Sequence, residues 1–212
     1  MRLRTRVSFL NLVGNALAVA AVVAVAALTG GGHARAADDS PASVQAVPLK
    51  VTKGDSLSKA EEEKVRGILK DYLEALKAGD YARAGTHIDS VSFLASVDTL
   101  ARTIASSDEL MPAARRKIFG ASTTDSLVHR PFPETFRSYM QYQESAHPEM
   151  RGILARAQLQ VLAARRMKDR VHVAYQLTLP AEKEDAQPYT TVTAEQMRLV
   201  GSDWKIVFRI EG

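Results

Sequence analysis

Apolar residues spaced three and four apart mark the first regular element of this chain. Ser58 and Glu61 have the spacing of a capping box, in which each side chain satisfies a free amide at a helix start. Gly79 follows the last apolar position and is typical of a helix end. Asp80 predicts the cap of a second, short helix that ends near Ile88. The helical stripe of the first element consists of Val65, Ile68, Leu69, Tyr72, Leu73 and Leu76.

Helical spacing continues through residues 93–104, 108–119 and 131–148. The second of these segments has three cations near its end and Gly120 directly after it. Cations at that position complement the negative end of a helix dipole, which we favour over an anion-binding or nucleic-acid site. The cations are Arg115, Arg116 and Lys117.

After Gly152 the apolar period changes from helical spacing to alternation. Alternation of apolar and polar residues is typical of strands with one buried face. His172 takes the phase opposite to its apolar neighbours, so we expect it on the other side of its strand. The predicted strands cover residues 153–163, 171–179, 189–200 and 204–210.

The third strand contains a break in phase. Val192 and Ala194 share one phase, whereas Met197 and Leu199 share the other. One extra residue near 195–196 would reconcile the two, which predicts a β-bulge there. Helices followed by an antiparallel meander predict an α+β domain over residues 58–212, with N-terminal helices packed into a curved antiparallel sheet.

The N-terminal residues predict export. Three arginines precede the apolar residues 7–28, and the small-x-small sequence Ala34-Arg35-Ala36 follows. These are the parts of a signal peptide, here residues 1–36, with cleavage after Ala36 and a periplasmic or secreted product. Residues 37–57 read as a flexible linker. The apolar stretch approaches the roughly 20 residues that span a bilayer, so a retained membrane anchor on an accessory subunit remains the alternative.

Charge and cysteine content narrow the classes of partner. The chain has 28 Lys and Arg against 24 Asp and Glu, and four of the bases precede Ala37. The mature chain is therefore neutral, which removes the electrostatic case for nucleic acid or an anionic membrane. There is no cysteine, so disulfides, lipoprotein attachment and thiol catalysis are excluded.

Two segments carry a resemblance to a known superfamily. YLEALKAGDY at residues 72–81 resembles the opening of nuclear-transport-factor-2-like domains, and MRLVGSDWKIV at residues 197–207 is similar to their closing hairpin. Residues 91–130, read mostly as helix, depart from the family pattern of short strands or a loop. The resemblance implies a cone with a cavity at one end, and its members include ketosteroid isomerases, polyketide cyclases and non-catalytic modules.

Five aromatic residues lie on the predicted core faces and are our candidates for lining such a cavity. Packing is their first expected role, and some would also contact a ligand, because an apolar cavity is lined by core residues. The candidates are Tyr72, Tyr139, Tyr175, Trp204 and Phe208.

No motif in the mature chain predicts catalysis, and we expect neither a metal nor a cofactor. HExxH and GxSxG sequences are lacking, and the four histidines, at 87, 129, 147 and 172, are scattered. We therefore expect an exported envelope module that binds an apolar small molecule or a partner protein, with homodimerisation left open. The alternative is a cofactor-free lyase or isomerase. A buried acid beside a His or Tyr would favour the enzyme, and an exposed apolar patch would favour a partner.

Overall fold

The computed structural model describes residues 55–179 and 188–208. The predicted signal peptide, linker residues 37–54 and Ile210 of the predicted last strand lie outside these residues. The helices are α1 Lys59–Ala78, α2 Tyr81–Thr86, α3 Ser90–Ala95, α4 Val97–Arg102, α5 Met111–Phe119, α6 Thr124–His129, α7 Phe132–Ala146 and α8 Met150–Arg156, with a 3₁₀ turn at Asp108–Leu110 before α5. The strands are β1 Gln158–Met167, β2 Arg170–Leu179, β3 Tyr189–Val200 and β4 Asp203–Ile206.

The first helix begins and ends where the sequence predicts, and the second begins as predicted but ends at Thr86, two residues before Ile88. The Ser58 hydroxyl accepts from the Glu61 amide at 3.3 Å, and the Glu61 carboxylate accepts from the Ser58 amide at 3.1 Å. Gly79 closes α1 in the left-handed region with φ 71°, and the Asp80 carboxylate caps α2 by accepting from the Arg83 amide. Local capping chemistry thus fixes where α1 begins and ends.

The strands form one open antiparallel sheet in the order β1-β2-β3-β4, with helices packed against it. The α+β class is therefore confirmed. Alternate residues of β2 are buried along its whole length, as alternation predicts, and His172 lies on the opposite side. Residues 87–89 lengthen the edge at β4: Ile206 donates its amide to the His87 carbonyl, and Asp89 donates to the Ile206 carbonyl. At the other edge, Asp55 pairs with Arg166.

The predicted start of the first strand is wrong. Residues 150–156 form α8, and the strand begins at Gln158. Ile153, Ala155 and Ala157 alternate, but Met150, Ile153, Leu154 and Ala157 also have helical spacing. Burial of Met150, Leu154 and Ala157 follows the helical pattern.

The predicted position of the bulge is also wrong. The register between β2 and β3 is unbroken, whereas the register between β1 and β2 shifts between Val161 and Ala163. The misleading residue is Glu195, a polar side chain that takes an inward position and is only 2% exposed. Val192, in contrast, faces outward and is 58% exposed.

The region between the first helix pair and the sheet contains more and shorter helices than predicted. Residues 93–104 do not form one helix, because the chain changes direction at Ser96 between α3 and α4. Helix α6 follows α5 within the region 91–130 that reads mostly as helix, although no separate helix is predicted there. Ile104, an apolar residue at the end of the predicted helix 93–104, is exposed.

Phe93 lies at the centre of an aromatic cluster that forms much of the core. Its ring lies 4.9 Å from the ring of Phe208, and edge-to-face geometry predominates around it. Such contacts stabilise beyond the burial of area alone. The other rings within 6 Å of Phe93 are Phe119, Phe132, Phe136 and Tyr139.

Candidate functional site

The five predicted cavity-lining residues are all core residues, and the structure places them in different groups. Tyr139 of α7 and Phe208 belong to the aromatic cluster, with ring centroids 6.0 Å apart. Tyr72 of α1 and Tyr175 of β2 lie near Glu195. Trp204 of β4 is buried with the Arg166 guanidinium 5.5 Å from its ring centre. Each of the five is at most 5% exposed.

Glu195 of β3 is a buried acid that sequence reasoning missed. The Tyr175 hydroxyl donates to the Glu195 Oε1 at 3.4 Å, and both side chains are at most 2% exposed. The Tyr72 hydroxyl is fully buried and has no hydrogen-bond partner within the described residues. Burial raises the pKa of both tyrosines, and the neighbouring Glu195 carboxylate raises each pKa further.

This Tyr–Glu cluster (Tyr72, Tyr175 and Glu195) contains an acid and two phenols, which could exchange protons with a substrate. Its members lie close together inside the protein, however, and none is more than 2% exposed. A substrate could therefore reach them only if the fold opened. In the conformation described, the cluster is a buried polar network.

A second titratable pair joins α1 to the end of α2. His87 Nε2 lies 2.9 Å from Asp71 Oδ2, and Arg83 binds the other oxygen of the same carboxylate. Burial lowers the pKa of His87, although the hydrogen bond to Asp71 opposes this effect. The hydrogen bond from Arg83 lowers the pKa of Asp71. At neutral pH, therefore, a neutral imidazole rests against a carboxylate that Arg83 already binds.

Asp89 is the acid nearest to His87 in the sequence, but it is not the partner of His87. Asp89, two residues away, is buried and pairs with Arg198 at 2.7 Å. Asp89 also caps α3 by accepting from the Val91 amide. Its role in the fold is thus structural, and the true partner of His87 lies one helix earlier.

A surface groove runs between α1 and the edge of β1, with a volume of about 370 Å³. Its floor is apolar and consists of buried Leu73 with half-buried Leu159 and Val161. Charged residues of α1 line its other side. They are Arg66, Lys70, Glu74 and Lys77.

The surplus charge of this α1–β1 groove comes from Lys70. Arg66 pairs with Glu62 at 2.6 Å and also donates to the Val161 carbonyl at 2.8 Å, which satisfies an edge acceptor of β1. Lys77 pairs with Glu74 at 3.1 Å. Within the described residues Lys70 forms no hydrogen bond or ion pair. The groove therefore combines an apolar floor with one uncompensated positive charge.

The outward face of the sheet carries a row of small residues. Ala163, Ala174 and Ala194 are in register across β1, β2 and β3, and the exposed side chains of Leu162 and Val192 lie near this row. This face has a modest apolar character. None of the five predicted cavity residues belongs to it or lines the α1–β1 groove.

Within residues 55–179 and 188–208, no three side chains of the kinds that ligate metals come together. None of the helices in those ranges combines the length and the apolar character needed to span a bilayer. Comparisons of the chain with protein-family models, with curated proteins and with solved structures gave no match.

Proposed function

We propose that this chain is an exported envelope module that binds an apolar small molecule in the α1–β1 groove. The observation that carries the proposal is the accessibility of apolar surface there: Leu159 and Val161 are half-buried, and they lie above buried Leu73. The groove volume of about 370 Å³ falls at the small end of the range of ligand pockets. An apolar floor beside polar groups that orient the ligand is a common form of small-molecule site.

The test is the binding of decanol, a neutral aliphatic probe, to the processed protein, measured by calorimetry. Leu159→Gln replaces part of the groove floor with an amide and should weaken decanol binding severalfold, because burying a polar group without a partner is unfavourable. Leu162→Gln makes the same change in the same strand at an exposed position outside the groove, and it should leave binding unchanged. Equal binding by all three proteins would contradict the proposal.

A second function, a cofactor-free lyase or isomerase, is favoured by one observation: Glu195 lies beside Tyr175. A buried carboxyl next to a phenol is suited to proton transfer if a substrate can enter. The binding module is preferred because the Tyr–Glu cluster is sealed, whereas the groove is open.

Tyrosine nitration distinguishes the two functions. The reagent should modify half-buried Tyr142 and Tyr189 and spare Tyr72 and Tyr175, as mapped by peptide mass spectrometry. Nitration of Tyr72 and Tyr175 at the rate of Tyr142 would show that the interior opens to small molecules. That result would favour the enzyme over the binding module.

A further inference from the structure

We infer that the ligand of the α1–β1 groove is a monomeric aliphatic chain with one anionic head group, such as a carboxylate, and that Lys70 binds the head. This inference rests on the proposed function and adds the chemical class of the ligand.

The charged rim of the groove is a single stripe of α1. Arg66 and Lys70 are four residues apart, and Lys77 follows seven residues later, so the three cations face the same side. At about 1.5 Å per residue, the stripe extends for roughly 16 Å along the helix axis. The apolar floor runs beneath it. A ligand lying along α1 therefore contacts apolar surface on one side and positive charge on the other.

Lys70 is the cation that can accept a new partner. The other two cations of the groove already have partners. The Arg66 guanidinium binds Glu62 and the Val161 carbonyl, and the Lys77 ammonium binds Glu74. An ammonium offers three donors and no acceptor, so it selects an anion over a neutral acceptor. The groove cannot offer a comparable partner to a cationic head, because its acid, Glu74, is already paired.

The size of the groove limits the ligand to one chain. The groove volume of about 370 Å³ is at the lower end of the volumes of known ligand pockets, and the groove is partly open to solvent. Neutral net charge of the mature chain does not oppose this site, since a local surplus of one charge acts within about 8–10 Å at physiological salt.

Calorimetry with a matched pair of probes tests the inference. Decanoate and decanol have the same chain length and differ in the head group. We expect the processed protein to bind decanoate about fivefold to tenfold more tightly than decanol, the range expected for a charge-assisted hydrogen bond at a partly exposed site. The preference should shrink as salt is raised.

Variants of Lys70 assign the effect to one side chain. Lys70→Gln should abolish the preference for decanoate by weakening decanoate binding about fivefold to tenfold. Lys70→Arg should keep most of the preference. Lys59→Gln makes the same change at an exposed position of α1 outside the groove and should have no effect. Melting temperatures should be equal across the set, because both lysines are exposed.

The outcomes separate this inference from the proposed function. Equal binding of decanoate and decanol overturns the inference that the ligand has an anionic head group, but it still supports the groove as a site for apolar molecules. Absence of decanol binding contradicts the proposed function itself. Binding that depends on Lys70 only with vesicles containing phosphatidylglycerol, and not with monomeric decanoate, overturns the inference in favour of a membrane surface.

Discussion

At the residue scale, the apolar positions of this chain were easier to predict than the buried polar ones. The five aromatic candidates were expected on core faces, and all five are buried. Glu195 was not expected to be buried, because a charged residue in an alternating strand normally faces water. The hydroxyl of Tyr175, on the neighbouring strand, provides the hydrogen bond that makes its burial tolerable. No local sequence signal identifies such a partner.

Trp204 provides the simplest test of the packing. Trp204→Ala should lower the free energy of unfolding by about 3–5 kcal/mol, because a large buried side chain is lost and a cavity is left in its place. Chemical denaturation measures the change. A value near zero would show that β4 presents its other face to the core.

The burial of His87 predicts that the stability of the protein depends on pH. Burial lowers the pKa of His87 in the folded state below its ordinary value of 6.5, so the unfolded chain binds the proton more readily. Stability is therefore complete above about pH 6.5 and decreases as the pH falls towards the lower folded pKa. Burial also lowers the pKa of His147, so the two histidines both contribute to the loss of stability at low pH.

The measurement is the melting temperature between pH 7 and pH 5. His87→Gln should reduce the loss of melting temperature over this interval, and adding His147→Gln should reduce it further. Exposed His129 provides the matched control, and His129→Gln should leave the loss unchanged. An unchanged loss in the His87 variant would contradict the expected shift.

At the element scale, capped and strongly periodic helices were predictable, whereas weakly periodic segments were not. Both ends of α1 follow from Ser58, Glu61 and Gly79, since capping depends on residues within one turn. Helix α8 was misread as a strand because its residues fit two periods, and only tertiary packing of Met150 and Leu154 decides between them. The bulge was misplaced for a related reason, since it depends on pairing between strands and not on one strand alone.

Two helical glycines should respond to alanine in opposite directions. A Cβ on Gly85 would lie 3.0 Å from the Phe136 Cβ and 3.2 Å from the Pro133 Cα, where α2 and α7 approach closely. Gly67, inside α1, has nothing within 4 Å of that position. Gly85→Ala should therefore destabilise the protein by about 1–3 kcal/mol, as overpacking does.

Gly67→Ala should instead stabilise the protein by roughly 0.5–1 kcal/mol, because alanine loses less conformational entropy in a helix. Denaturant titration of the two variants gives both values. Stabilisation by both substitutions would show that α2 and α7 are farther apart than the structure has them.

At the scale of the whole molecule, the α+β order of helices and strands was predictable, but the groove was not. The apolar and basic stripe of α1 is visible in the sequence. The facing surface comes from Leu159 and Val161, more than 80 residues later, and the start of their strand had been misplaced. To predict a site formed between distant elements, one must know where each element begins and which elements pair. A periodic pattern within one segment does not give the pairing.

Export is a prediction that concerns the residues before the fold. The arginine-rich start, the apolar stretch and Ala34-Arg35-Ala36 predict that cells cut the protein after Ala36. Intact mass spectrometry of the extracytoplasmic protein should show a chain that begins at Ala37. Recovery of only the full-length chain, and only from membranes, would instead indicate a retained anchor.

The most direct test of the central claim is to map where an aliphatic ligand binds. Backbone amide chemical shifts of the processed protein should be recorded during titration with decanoate. The account predicts that the largest changes cluster at the groove, at Lys70, Leu73, Leu159 and Val161, while the amides of Tyr139 and Phe208 in the aromatic cluster change little. Largest changes at Tyr139, Phe208 and Tyr175, with the groove residues unaffected, would contradict the account and place the ligand inside the fold.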